Sequence, residues 1–304
     1  MSKYFNYPFK YKKLENLDFG YKLNLFVNKK NEYVSLLNDI KLYPDFSNKL
    51  IVNMVVEIPK HSTAKMEMVP DGKKLIEDEK KVDKKKGFNL NKKNELLKLL
   101  KHNPIIQDFK KKPRHVLIKQ ETKSQKSKKL GPGYNLGSYG ALCQTFEGDD
   151  VMNLKNLIGE IYIRNGEKFL IKNLNLNGDG DPIDILLIND RRKRSIGEVV
   201  KVKVIAALAM IDDIEGESGE VDWKLIGVPE NSNPKKLINS FKNENIKLHL
   251  ASRIKAWFQE YKDTKDKIGG IGFGNNRKYI TDKNDLIKII EHTHNDWKNK
   301  YFKK

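Results

Sequence analysis

Apolar positions in this chain follow two rhythms. Through most of its length they come as short runs or alternate with polar residues, the pattern of strands. Near the C-terminal end they recur every three to four residues, the pattern of amphipathic helices. From Phe19 to Ser35 the text FGYKLNLFV, a polar NKKNE break and YVSL predict a hairpin with a longer loop. Leu50–Ile58, LIVNMVVEI, predicts a buried strand that stops at Pro59. Lys65–Met68 alternates, with Lys65 and Glu67 on one face and Met66 and Met68 on the other. Val199–Ile211 is a long β-type run ending in Asp212 and Asp213, and DWKLIGV (222–228) is a further strand. Two helices close the chain, one carrying Ile254, Trp257, Phe258 and Tyr261, the other Leu286, Ile289, Ile290, Thr293 and Trp297. Strands precede helices with no repeated βαβ rhythm. That order predicts an α+β fold with a mainly β core, an antiparallel or mixed barrel with helices outside it.

Three stretches break the pattern. Residues 70–102 are lysine-rich and low in complexity, and predict a solvated inserted loop with a short helix at Glu95–His102. The polar stretch 119–130 reads as a mobile loop. Residues 148–176 alternate at Ile161, Ile163, Phe169 and Ile171 about Asn165–Gly166, a pair favoured in tight turns, and predict an added hairpin.

Composition narrows the function. The net charge of +19 invites a nucleic-acid reading, yet only 7 of the 59 basic residues are arginine and the lysines are spread along the whole chain. A reader of phosphate backbones concentrates arginine with interleaved aromatics, so nucleic acid is not expected as the primary ligand. Cys143 is the single cysteine, which excludes an intramolecular disulfide and fits a reducing compartment. Its apolar setting, GALCQTF, reads as a buried structural thiol. No signal peptide is visible, and the longest apolar run, Val204–Ile211, is too short to span a bilayer; the expected location is cytoplasmic.

The chemistry is concentrated in NGDGDPIDIL (177–186), where Asp179, Asp181 and Asp184 fall within six residues ahead of a short apolar run. Carboxylates this close stay ionised together only with cations among them. An all-oxygen donor set suits Mg²⁺ or Mn²⁺ before Zn²⁺. An EF-hand is excluded by spacing, because counting from Asp179 puts Ile183 at the fifth position and Asp184 at the sixth, where oxygen and glycine are required.

NMVVEIPKHSTAKMEM, NPIIQDFKKKPRHV, GYNLGSYGALCQTFE, GDGDPIDIL, VDWKLIGV, WFQEYKD and IIEHTHNDWK occur in this order, from about Leu14 to the C-terminus. In order and wording they resemble the family I soluble inorganic pyrophosphatases of eukaryotic type. The resemblance implies one domain around a five-stranded OB-like barrel with flanking helices, extended by surface inserts. It implies Mg²⁺-dependent hydrolysis of diphosphate by a metal-bridged hydroxide, with three to four ions per site, Mn²⁺ as a substitute and no covalent intermediate. A homodimer is also implied.

By that resemblance Asp179, Asp184 and Asp222 are ligands of the tightest metal, and Asp181 is the base for the attacking water. Asp212 with Asp222 holds a substrate-borne ion, Glu67 stands behind another, and Glu57 supports from outside the ligand set. Lys65, Arg114, Tyr139, Lys224, Tyr261 and Lys262 match the groups that grip the two phosphoryl units, and Tyr134 lines the site. The loop after Asp212 is longer than the family's, so Asp213 or Glu217 are alternatives to Asp212; the ungapped run before Asp212 favours it. Metals that neutralise the anionic substrate, with lysine and arginine on the leaving phosphate, are what this reaction demands. Two other functions compete. An OB-like nucleic-acid-binding module would bind single strands without dependence on the acids, and a catalytically dead scaffold would have lost some of the matched residues, which are all in place.

Overall fold

In the computed structural model the described residues are 11–16, 23–60, 62, 66–80, 93–107, 136–149, 151, 154–158, 161–164, 167–170, 175–215, 218–242, 250–262, 272–273 and 279–302. Five strands close a barrel: β3 (Ile51–Ile58), β6 (Gly137–Leu142), β10 (Asp184–Ile188), β11 (Val199–Glu215) and β12 (Ser218–Pro229). The pairs β3–β6, β6–β10, β11–β12 and β11–β3 are antiparallel, while β10 and β12 run parallel. The barrel is therefore closed and mixed, as its β-rich first part and the family resemblance imply.

The sheet continues past the barrel. β9 (Asn175–Gly178) adds in parallel to β12, and β13 (Gly272–Phe273) joins β11 to a hairpin of β7 (Ile161–Arg164) and β8 (Glu167–Leu170). In that hairpin Arg164 stands opposite Glu167, the register expected of a two-residue turn. A second, antiparallel sheet has the order β1 (Tyr11–Asn16), β2 (Leu23–Asn28), β5 (Ile105–Gln107) and β4 (Met66–Met68). The hairpin expected over Phe19–Ser35 is only partly present: β2 is a strand, but its main partner is β1, and YVSL contributes the single bridge Val27–Tyr33.

Strand alternation sends side chains to two cores. Val52, Met54 and Val56 of β3 pack with Leu286, Ile289 and Ile290 of the last helix, α6 (Lys283–Phe302). Their odd-numbered neighbour Val55 packs with Phe241 of α4 (Lys235–Lys242) and with Ile254 and Phe258 of α5 (Leu250–Lys262). In α6 the buried set Leu286, Ile289, Ile290, Thr293 and Trp297 has the three-and-four spacing read from sequence, and Asp282 caps its start by accepting the N–H groups of Asn284 (2.8 Å) and Asp285 (3.2 Å).

The stretch 70–102 requires a correction. α2 (Lys93–Leu100) stands where the short helix is expected, but a second helix, α1 (Gly72–Lys80), precedes it, and Ile76, Leu96 and Leu100 are buried in a third core with Leu23, Val69 and Ile106. Asp71 caps α1, accepting from Lys73 (2.9 Å) and Lys74 (3.2 Å). A few apolar side chains against β2 and β5 suffice to order what charge density marks as solvated. A short helix α3 (Lys155–Ile158) precedes β7 and buries Ile158. The stretch 119–130 lies outside the described residues.

Candidate metal and substrate site

The acidic loop joins β9 to β10 and is sewn to the turn that follows β6. Glu147 donates its N–H to the carbonyl of Asp181 (2.9 Å), and its own carbonyl accepts from Gly180 N–H (3.0 Å). Gly178 N–H donates to the Gly148 carbonyl (2.9 Å). Gly178 has no room for a side chain, since a Cβ would sit 2.5 Å from the backbone of Glu147 and Gly148. Gly180 takes φ +81°, a left-handed conformation that lets the loop double back. Within the loop Asp179 Oδ1 accepts the N–H of Asp181 at 2.9 Å, leaving the Asp181 side chain exposed.

Strand pairing brings in the rest. The parallel register sets Asp184 opposite Lys224, and Asp222 lies two residues earlier on the same face of β12. Lys224 Nζ bonds both Asp184 Oδ2 and Asp222 Oδ1, and the Tyr139 hydroxyl donates to Asp184 Oδ2. Glu147 is buried at 3 % exposure; its Oε1 accepts the N–H of Trp223 (2.8 Å), and its Oε2 has no hydrogen-bond partner. Glu147, Asp179 and Asp222 each offer a carboxylate oxygen within 4.8 Å of the other two.

Crowding shows in the titration of these groups. Burial, then the neighbouring Asp181, pushes Asp179 up to about 7, with Lys224 opposing. Burial also pushes Asp222 up to about 8 against the pull of Lys224, with Asp179 and Asp184 adding repulsion. Glu147 is held well above the carboxylate range by burial and by Asp179 and Asp222. Burial weakens the charge of Lys224, but Asp184 and Asp222 outweigh it and its pKa lies above the ordinary lysine value. One ammonium is balancing several carboxyls.

The residues singled out from sequence are distributed as follows. Asp179, Asp181, Asp184, Asp222, Lys224 and Tyr139 converge. Glu57, buried on β3, accepts the N–H of Met68 through Oε1 (2.7 Å) and so ties the barrel to β4 beside the half-buried Glu67. Asp212 lies on β11 opposite Glu220, two positions from the Met210–Asp222 pair. Tyr261 and Lys262 end α5. Lys65, Arg114 and Tyr134 lie outside the described residues. Glu147 is a member of the site that the sequence analysis does not name; it is the lone acid of the motif GYNLGSYGALCQTFE.

Three carboxyls with an unpartnered buried oxygen among them make an all-oxygen donor set that fits a hard divalent cation. Fold and site together define a class, closed OB-like barrels that carry a largely buried carboxylate cluster suited to a divalent cation. The family described as inorganic pyrophosphatase matches residues 110–298. The inorganic pyrophosphatase of Zygosaccharomyces bailii is 30% identical over 90% of this chain and 74% of its own length. That of Bos taurus is 32% identical over 89% of this chain and 71% of its own. Among solved structures, a type I inorganic pyrophosphatase from Toxoplasma gondii shares the fold at a TM-score of 0.56 and 23% identity, covering 95% of this chain and 99% of that one. The Trypanosoma cruzi vacuolar soluble pyrophosphatase truncated of its N-terminal domain, solved in complex with PPi, has a TM-score of 0.56 at 24% identity, covering 98% of this chain and 95% of that one. The chain belongs to the inorganic pyrophosphatase family, and with it to the enzymes that cleave phosphoanhydrides.

Proposed function

We propose that this chain hydrolyses inorganic diphosphate to two phosphates with Mg²⁺, three to four ions per site, Mn²⁺ substituting, and no phosphoenzyme. The observation that carries this is the convergence of Glu147, Asp179 and Asp222 beside the buried Lys224. When bound, divalent ions neutralise the charge of the substrate and bring a coordinated water toward ionisation at neutral pH. Asp179, Asp184 and Asp222 hold them, with Asp212 and Glu67 completing the set at the substrate side. Asp181 is exposed at the edge of the loop, tethered by its backbone to Asp179 and Glu147, and takes the proton of the attacking water. Lys65, Arg114, Lys224, Tyr139, Tyr261 and Lys262 bind and orient the phosphoryl groups; Arg114 does so bidentately and the lysines as point charges. Glu57 fixes β4 against the barrel, and Tyr134 lines the site. The hydrogen bond from the Tyr139 hydroxyl to Asp184 supports a role for Tyr139 beside that carboxylate.

A homodimer working in the cytoplasm completes the reading. The buried free thiol of Cys143 supports a reducing compartment, and no helix among the described residues is long and apolar enough to cross a membrane.

The test is phosphate release from diphosphate by purified protein. Mg²⁺ should support turnover and EDTA should abolish it. Asp181→Asn should lower kcat by roughly 10²- to 10⁴-fold while retaining the circular dichroism of the parent. A well-folded protein that frees no phosphate with Mg²⁺ would sink the proposal.

A further inference from the structure

Glu147 has a stronger claim on a metal than its place in the sequence suggests. Its backbone is held from two sides. On one side lie the Asp181 carbonyl and Gly180 N–H of the acidic loop. On the other lies α6, whose Thr293 carbonyl accepts Phe146 N–H (3.0 Å) and whose Asp296 Oδ2 accepts Gly148 N–H (3.3 Å). His294 Nδ1 adds a bond to the Gln144 carbonyl at 2.7 Å. The side chain is thus delivered on a braced turn and has little freedom to withdraw. Trp223 N–H fixes one carboxylate oxygen, and the other, Oε2, is buried without a partner. A buried carboxylate oxygen left unbonded is unfavourable, and a protein interior that keeps one does so where something else binds it. The carboxylate that carries Oε2 lies beside those of Asp179 and Asp222, each offering an oxygen within 4.8 Å of the others. A water could satisfy a polar oxygen, but three acidic side chains at this spacing call for positive charge, and Lys224 already serves Asp184 and Asp222.

We infer that Glu147 is a direct ligand of a divalent cation that it shares with Asp179 and Asp222, an oxygen donor from the turn after β6 in addition to those of the acidic loop and β12. Trp223 N–H orients the carboxylate so that the remaining oxygen faces the ion, the arrangement by which a fixed hydrogen bond sets a ligand. Asp184, bonded to Tyr139 and Lys224, is then left to face the substrate side. This inference rests on the metal-dependent reading of the site.

The decisive measurement is Mn²⁺ binding to the substrate-free, full-length protein by calorimetry and electron paramagnetic resonance. Glu147→Gln keeps an acceptor for Trp223 N–H and removes the charge. Its tightest Mn²⁺ site should weaken by about tenfold or more, and the Mn²⁺-induced rise in melting temperature should shrink, with melting in EDTA no lower than that of the parent. Asp222→Asn serves as the reference for a lost ligand. If Asp222→Asn loses the ion and Glu147→Gln binds it as the parent does, the assignment is overturned and the metal-dependent reading stands; if neither variant changes Mn²⁺ binding, both fall. Anomalous scattering from Mn²⁺-soaked crystals of the unaltered protein settles the matter without a variant. A peak at about 2.1 Å from a Glu147 oxygen is expected, and a peak bonded to Asp179 and Asp222 but remote from Glu147 overturns the inference.

Discussion

Lys224 is the cation against which the acids are balanced, and it cannot balance them all. Asp179 and Asp222 are pushed to about 7 and about 8, while in an unfolded chain they titrate near the ordinary value of about 4. Between those limits the folded, metal-free protein holds more protons than the unfolded chain, so its stability falls as pH rises through the window. Below about pH 4 both states are protonated at these groups and the full contribution is present. The raised pKa of Lys224 acts only at alkaline pH, outside this window. In EDTA the melting temperature should therefore decline between pH 5 and 8.5, all else in the buffer equal. Saturating Mg²⁺ should flatten or reverse the decline, since the ion favours the charged acids. A melting profile in EDTA that rises across that range would contradict the crowding described for these two aspartates. At this scale much of the site was legible: GDGDPIDIL and DWK named Asp179, Asp181, Asp184, Asp222 and Lys224. Glu147 was not, because a solitary acid in a sequence carries no sign that a turn will point it at residues thirty or more positions further on.

Among the elements, α1 and α2 give the sharpest test of what packing adds to composition. Leu96 is completely buried between β2, β5 and α1, so Leu96→Ala should destabilise the protein by about 2–5 kcal/mol. A solvated loop would show nothing, and denaturant unfolding of the variant separates the two. The signal for α1 is Pro70-Asp71, a helix-start pattern that the density of lysines masks. The long helices were clear from their apolar spacing, and the hairpin of β7 and β8 from Asn165-Gly166. β1 was not seen at all: YKKLEN has little hydrophobic content, and it is a strand because β2 offers it an edge. A hydroxyl also anchors it, Tyr11 bonding the Gly197 carbonyl and accepting Val199 N–H at 3.1 Å.

For the molecule as a whole, strands alone did not dictate how the barrel closes. The parallel partnership of β10 with β12 joins Asp184 to Lys224 across 40 positions, and no local pattern encodes which distant strand is chosen. The barrel buries Cys143 completely, and burial lifts its thiol far above the ordinary range. Maleimide labelling of Cys143 should accordingly be at least about 10³-fold slower in native buffer than in denaturant, and destabilising variants such as Leu96→Ala should speed it in proportion to lost stability. Fast labelling of the folded protein would place the thiol at an opening that the structure lacks among its described residues. The sequence reading of Cys143 as structural rested only on apolar neighbours; its depth comes from β3 and the turn after β6, whose Cys143 N–H bonds the Asn53 carbonyl at 3.1 Å.

The stitching of the acidic loop to the turn at Glu147 bears on kinetics as well as on catalysis. Its carboxylates come from three stretches of chain, around Glu147, Asp179 and Asp222, so an ion that needs all three binds the native fold and not the unfolded chain. Such an ion acts as a latch: it slows the exit from the native state and leaves the speed of reaching it nearly untouched.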